Sequence, residues 1–399
     1  MKLIYLVYRE DNVMVYESQV LEYLRAMKKK KLFDSIELIV FRHEQNLMRK
    51  KEVEERIHHY VDKAETFWSF PVLNMVQLNT NASRLRGYLK KNYSKDDRIA
   101  VICRGDLAAY VGVRAFKDYS NSRVLYDNRG LAYEESVMSH ESNFIHKINR
   151  NVKREALNRA RLHCDMYNFV TTGMREYFLE QYGYNPHIPY TIIPTLYKAE
   201  KGSDSEFAEI AKREKYKPTD FVISYVGSTA AWQSTRQLVD LISQIGEEYR
   251  TIRFFILSNG TISEMESLPQ HIKDRIIMKA VPHKEMKYYL RMTNIGIVIR
   301  DNNIVNHVAA PTKIAEYLTS GVSILYSGDI GIINDLKNKT DGSQMICIDT
   351  DPNWLAKINP ENCPEKRIDQ VIVDYFDMDK RQLETSNMIT SAFANAKAK

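Results

Sequence analysis

Apolar residues in this chain gather into short runs, separated by longer stretches in which they recur at helical spacing. Residues 3–8, 35–41, 72–76, 98–103, 123–126 and 168–171 read as strands, and 15–30, 81–91, 106–117 and 142–161 as helices between them. Strand–helix alternation of this kind predicts right-handed crossovers and a parallel sheet covered on both faces. The pattern breaks between Tyr184 and Thr195, a stretch holding Pro186, Pro189 and Pro194, and again in the polar segment 201–218. A second series follows at 221–226, 252–257, 276–278, 295–299, 322–326 and 345–348, again with helices between the strands.

The expected architecture is therefore α/β, with two Rossmann-like doubly wound domains facing across a cleft. The first takes residues 1–195 and the second 196–370, with a hinge near 194–203. The C-terminal helices, 371–399, end in an Ala/Lys tail and have the option of crossing back to the first domain. Ligands of such folds bind beyond the carboxyl ends of the strands, which puts the expected site in the cleft.

Composition narrows the function classes. The chain has 399 residues, 44% hydrophobic and 27% charged, with a net charge of +6. That is a globular composition, and no run approaches the ~20 apolar residues of a membrane span. The N-terminus resembles a buried strand rather than a signal peptide, so a cytoplasmic location is expected. The four cysteines are scattered without a CxxC pair, which argues against zinc or a disulfide framework. No resident metal or cofactor is expected. His43, His140 and His307 are candidate site histidines, although a lone histidine is more often structural. The densest basic run, Lys28 to Lys31, suits a helix C-terminus; its functional alternative is peripheral contact with anionic lipid on the inner face of the membrane. Nucleic acid is not an expected partner, because no aromatics interleave the basic residues. Neither series opens with GxGxxG and no GxxxxGK[ST] occurs, which argues against dinucleotide oxidoreductases and P-loop NTPases.

The strongest chemical signal lies in 299–321. A buried strand ends at Arg300, a polar loop follows, Pro311 stands where a helix would start, and Gly321 lies just past its end. Lys313 and Glu316, three apart, project together near the helix beginning. Helix N–H groups with Arg300 and Lys313 suit a diphosphate, and Glu316 suits a pair of ribose hydroxyls. The bland alternative is a surface Lys–Glu pair on an ordinary helix. Upstream, an apolar strand ends in Gly227-Ser228, where glycine permits close backbone approach to a ligand. Ser228 and Gln233 can hydrogen-bond phosphate or sugar oxygens, while Trp232 suits a packing anchor. On the first domain Asp127 and Arg104 stand at strand ends. For 127–130 the bland alternative is a polar turn with an internal ion pair. Arg104 either binds an anionic acceptor or pairs with Asp127.

These motifs together are similar to those of GT-B glycosyltransferases. Tyr225-Val226-Gly227-Ser228 with Trp232-Gln233, Val281-Pro282-His283, and Pro311-Thr312-Lys313-Ile314-Ala315-Glu316-Tyr317-Leu318 with Gly321 resemble the donor domain, more narrowly that of family-four enzymes of bacterial polysaccharide assembly. The first half resembles the acceptor domain more loosely, through Gln19, Arg104, Tyr126 to Gly130, and Glu134. The resemblance implies a retaining, metal-independent hexosyltransferase with a nucleotide-sugar donor, such as a UDP- or GDP-sugar, and a glycan or lipid-linked acceptor. Glu316 would hold the ribose. Gly227, Ser228, Gln233, Arg300, Pro311, Thr312 and Lys313 would face the phosphates, and Val281 and His283 the base. Gln19, Arg104, Asp127, Arg129 and Glu134 would line the acceptor side. One departure is Val308, where many members carry a glutamate that touches the donor sugar; another is Gln233, where a lysine is common. Two alternatives remain open: a nucleotide-sugar epimerase on the same fold, and a non-catalytic sugar-nucleotide-binding subunit.

Overall fold

The computed structural model describes residues 1–10, 15–42, 57–70, 73–138, 144–227, 235–361, 363 and 366–395. The chain forms two compact units, one of Met1–Pro194 with Met378–Lys399, the other of Thr195–Asp377.

The first unit is built on seven parallel strands in the order β3-β2-β1-β4-β5-β6-β7. They are β1 (Lys2–Tyr8), β2 (Ser35–Arg42), β3 (Lys63–Trp68), β4 (Ile99–Arg104), β5 (Ser122–Asp127), β6 (Met166–Phe169) and β7 (Tyr190–Ile192). The central strands bury nearly every side chain because helices cover both faces, and this produces apolar runs rather than alternation. One expectation fails here. Residues 75–76 are not a strand but the start of the helix Met75–Asn92, whose Asn74 side chain caps Gln77 N–H at 2.8 Å. Val76 faces solvent, 75% exposed, so its apolar character marks no core position. The strand is instead Lys63–Trp68, an edge strand whose side chains are only half buried and which therefore has no apolar run. The run at 28–31 is partly committed to local contacts: Lys28 pairs with Asp62 at 3.0 Å and Lys30 with Asp379 at 3.1 Å.

The second unit has six parallel strands in the order β10-β9-β8-β11-β12-β13. They are β8 (Val222–Val226), β9 (Arg253–Leu257), β10 (Ile276–Lys279), β11 (Ile295–Val298), β12 (Ser323–Tyr326) and β13 (Met345–Cys347). Four helices of this unit matter below: α1 (His283–Met292), α2 (Ile304–His307), α3 (Thr312–Thr319) and α4 (Gly331–Lys337). Within each unit all strands run parallel, so their carboxyl ends share one edge of the sheet. The helix Gln370–Phe376 packs its Ile372, Tyr375 and Phe376 into the second unit's core, whereas the last helix, α5 (Met378–Asn395), packs on the first unit. There Gln382 donates to the Tyr23 carbonyl at 2.6 Å, and the Arg98 and Arg123 guanidinium groups lie over the Phe393 ring. Among the described residues no helix is long and apolar enough to cross a membrane.

Candidate functional site

In the second unit the polar groups of interest stand at the carboxyl edge of the sheet. Strand β8 ends at Val226 and leads to Gly227, whose N–H donates to the Leu257 carbonyl at 3.2 Å. Strand β11 ends at Val298 and leads to Arg300. Helix α3 starts at Thr312 with Pro311 at its N-cap, φ −61° and ψ 132°, a residue whose side chain makes no capping hydrogen bond. Past its end Gly321 takes φ +73°, a left-handed conformation that glycine reaches without a Cβ penalty.

What holds α3 against the strands is a contact the sequence did not reveal. Gly296, in the middle of β11, lies so close to the Tyr317 ring that a Cβ there would sit 2.5 Å from ring atoms. The ring crosses the strand at that gap, and its hydroxyl reaches the neighbouring strand. It accepts the Val226 N–H at 2.9 Å and donates to the Ser224 carbonyl at 3.2 Å. Helix α3 is thereby fastened directly to the end of β8. A lone glycine inside a buried strand was the available signal, since it often marks close approach of another group.

The fastening brings Arg300, Lys313 and Glu316 together. Lys313 is only 8% exposed, and its ammonium lies 4.8 Å from the centroid of the Tyr225 ring. Burial, reinforced by the Arg300 charge, pushes the Lys313 pKa down to about 7, with Glu316 opposing. Arg300 is held below its ordinary value by burial, and its Nε is buried without a hydrogen-bond partner. Burial raises the Glu316 pKa, with His283 and Lys313 opposing, and the carboxylate accepts no hydrogen bond from a described residue. His283 is the first residue of α1, after Pro282 at its N-cap, and Val281 packs partly into the core beside it. Val308 is buried, 1% exposed. Ser228 and Gln233 lie outside the described residues.

The first-unit candidates behave differently. Asp127 is 1% exposed and forms a two-point pair with Arg129, Arg129 Nε–Asp127 Oδ2 and Arg129 Nη2–Asp127 Oδ1 both at 2.9 Å. Tyr5 and Asn168 also donate to Asp127, each at 3.3 Å, and Arg129 Nη1 donates to the Ile193 and Pro194 carbonyls. The polar capacity of this pair is spent within the unit. Arg104 does not pair with Asp127: its partner is Glu10, at 3.5 Å, and its Nη1 is buried without a partner. Glu134 accepts from Tyr177 at 3.0 Å and from Tyr182. Beside it the buried Asp106 accepts from Tyr126, and burial with the neighbouring Glu134 charge lifts its pKa to about 7 against that hydrogen bond. Gln19 lies half-buried in the helical turn Tyr16–Leu21.

No protein-family model matches the sequence, and no curated protein matches it either. Solved structures do match in fold. HepE from Anabaena, in complex with UDP, is similar with a TM-score of 0.66 and 13% identity over 98% of this chain and 100% of that one. The lipopolysaccharide outer core galactosyltransferase WaaB matches with a TM-score of 0.64 and 11% identity, over 98% of this chain and 99% of that one. Sucrose-phosphate synthase from Thermosynechococcus elongatus matches with a TM-score of 0.62 and 12% identity, over 99% and 100%. The chain has the GT-B fold.

Proposed function

We propose that this chain is a metal-independent, retaining glycosyltransferase. It moves a hexose from a nucleoside diphosphate sugar to a glycan or lipid-linked acceptor in the assembly of a cell-surface polysaccharide or glycoconjugate. The observation that carries this reading is the pair of buried basic side chains, Arg300 and Lys313, beside the unshared carboxylate of Glu316. Burying two neighbouring cations is unfavourable in the free protein, and a diphosphate laid against them relieves it. Glu316 then accepts hydrogen bonds from the ribose hydroxyls, and the His283 turn lies at the base. HepE, solved with UDP and with UDP-glucose, supports this donor class.

As the anomeric bond breaks, negative charge grows on the departing diphosphate. Arg300, Lys313 and the first N–H groups of α3 stabilise it, and one such donor contributes about 3–4 kcal/mol to lowering a barrier. The acceptor hydroxyl attacks from the face of the leaving group and gives its proton to a phosphate oxygen. The acceptor side is drawn from Gln19, Arg104 and Glu134, with the Asp127–Arg129 pair supporting them. The exposed Lys29 and Lys31 offer a modest basic face to an anionic membrane surface.

The test is calorimetric titration of UDP, GDP, CMP and their sugar conjugates into wild type and Glu316→Ala, without added metal. One nucleoside diphosphate binds, and Glu316→Ala weakens it ten- to a hundredfold, about 1.4–3 kcal/mol. Failure of every nucleotide to bind removes the reading.

A further inference from the structure

Close to Arg300 stands a second polar arrangement that the diphosphate site does not use. His307, the last residue of α2, places Nδ1 2.6 Å from Asp329 Oδ2, and Asp329 Oδ1 accepts from Asn334 at 2.6 Å. Asp329 lies in the loop after β12, and that loop is pressed onto the Arg300 main chain. Ser327 Oγ accepts the Arg300 N–H at 3.2 Å and donates to its carbonyl at 3.3 Å. Gly328, at φ +79°, approaches so closely that a Cβ would lie 2.4 Å from the Arg300 carbonyl oxygen. The α2 turn is fixed as well: Asn303 accepts from Asn306 N–H at 3.0 Å, and the buried Asn306 side chain donates to the Asp301 carbonyl at 2.9 Å.

The imidazole is thus aimed by Asp329, itself held by Asn334, yet it remains 40% exposed. Its Nε2 makes no hydrogen bond with a described residue. A half-exposed ion pair adds little stability, about 0–1 kcal/mol, so stability alone gives little account of this framework. With Nδ1–H donating to Asp329, Nε2 is left as the acceptor nitrogen of a partly exposed ring. It stands at the same carboxyl edge, on the loop joining Arg300 to Lys313. With the diphosphate against those two residues, the neighbouring part of the donor is the glycosyl group.

We propose that His307, oriented by Asp329, accepts a hydrogen bond from a hydroxyl of the transferred sugar and thereby discriminates among donor sugars. This rests on the donor-site reading above. The test titrates UDP, UDP-glucose, UDP-galactose and UDP-N-acetylglucosamine into full-length wild type, His307→Ala, His307→Gln and Asp329→Asn. Wild type separates the three sugar conjugates by about tenfold or more, the worth of one well-placed hydrogen bond. His307→Ala brings them within about threefold while UDP itself changes less than twofold, and Asp329→Asn has the same effect in part. His307→Gln, which keeps an acceptor, retains part of the spread. Unchanged discrimination in His307→Ala, with UDP binding intact, overturns the proposal and leaves the donor site standing. So does a wild type that binds UDP but does not distinguish the sugars. Should wild type bind another nucleoside diphosphate instead, the same comparison is made on its sugar conjugates; should it bind none, the donor-site reading is overturned and this proposal falls with it.

Discussion

Lys313 makes nucleotide binding a proton-coupled event. In the free protein its pKa is depressed from 10.5 to about 7, chiefly by burial and next by Arg300. A diphosphate laid against the ammonium restores the charged form, so binding draws a proton from solvent wherever the free lysine is neutral. With the free pKa at 7 and the bound value near the ordinary one, uptake is about 0.1 proton at pH 6, about 0.5 at pH 7 and about 0.9 at pH 8. The apparent affinity for UDP accordingly falls about fiftyfold between pH 7 and pH 9, about 2.3 kcal/mol. The phosphates of UDP titrate near pH 6 and are ionised across this window, so they do not supply the effect. Lys366 also has a depressed pKa, about 8, but its ammonium is bound to the Leu290 and Arg291 carbonyls rather than to the cluster. The assay is calorimetry at each pH in buffers of differing ionisation enthalpy, repeated on Lys313→Arg. The arginine variant stays charged, so its proton uptake vanishes and its affinity changes less than about twofold from pH 7 to 9. Flat affinity and no uptake in wild type, with UDP still bound, would refute the placement of Lys313 against the phosphates.

Three further outcomes follow from the same geometry. Lys313→Met removes a buried ammonium and raises the stability of the free protein by about 1–3 kcal/mol at pH 6. The unfolded chain binds more protons than the folded one between pH 7 and 10.5, so wild type gains stability as pH rises and the advantage of the variant shrinks; thermal melts across pH 6–10 read this directly. Gly296→Ala forces a methyl into the Tyr317 ring and Tyr317→Phe strands the Val226 N–H. Each lowers stability by about 1–3 kcal/mol, and both weaken UDP binding because α3 loses its attachment to β8, as melts and titrations on the same samples will show. Arg129→Ala leaves the Asp127 carboxylate buried and uncompensated, at a cost of about 3–5 kcal/mol in denaturant unfolding; lost acceptor turnover at unchanged stability would instead make Arg129 a ligand contact.

The fold was legible wherever burial on both faces turns a strand into an apolar run. This is why Leu3 to Tyr8 and Ile295 to Val298 stand out from the chain. It was illegible at Lys63–Trp68, where an edge position removes the run, and at Val76, where an exposed residue imitates one. The α3 segment announced itself through Pro311 and Gly321, because a helix end imposes backbone demands that single residues meet. The Tyr317–Gly296 contact was hidden, since it joins residues on different elements and only the folded sheet brings them together. The Asp127–Arg129 pair shows the converse: two polar residues at a strand end were visible as a cluster, but their mutual satisfaction depends on Tyr5, Asn168 and the 193–194 carbonyls.

The last helix, Met378–Asn395, belongs to the unit that the chain begins. During synthesis, the first unit must therefore wait with an incomplete surface until the entire second unit has emerged. Until then, the Tyr23 carbonyl lacks Gln382 and the Arg98 and Arg123 side chains lack Phe393. The second unit, Thr195–Asp377, has all of its own segments synthesised before that helix emerges. The helix Met378–Asn395 thus acts as a clasp: a nascent chain cut short before Met378 leaves the first unit's surface uncovered where that helix packs.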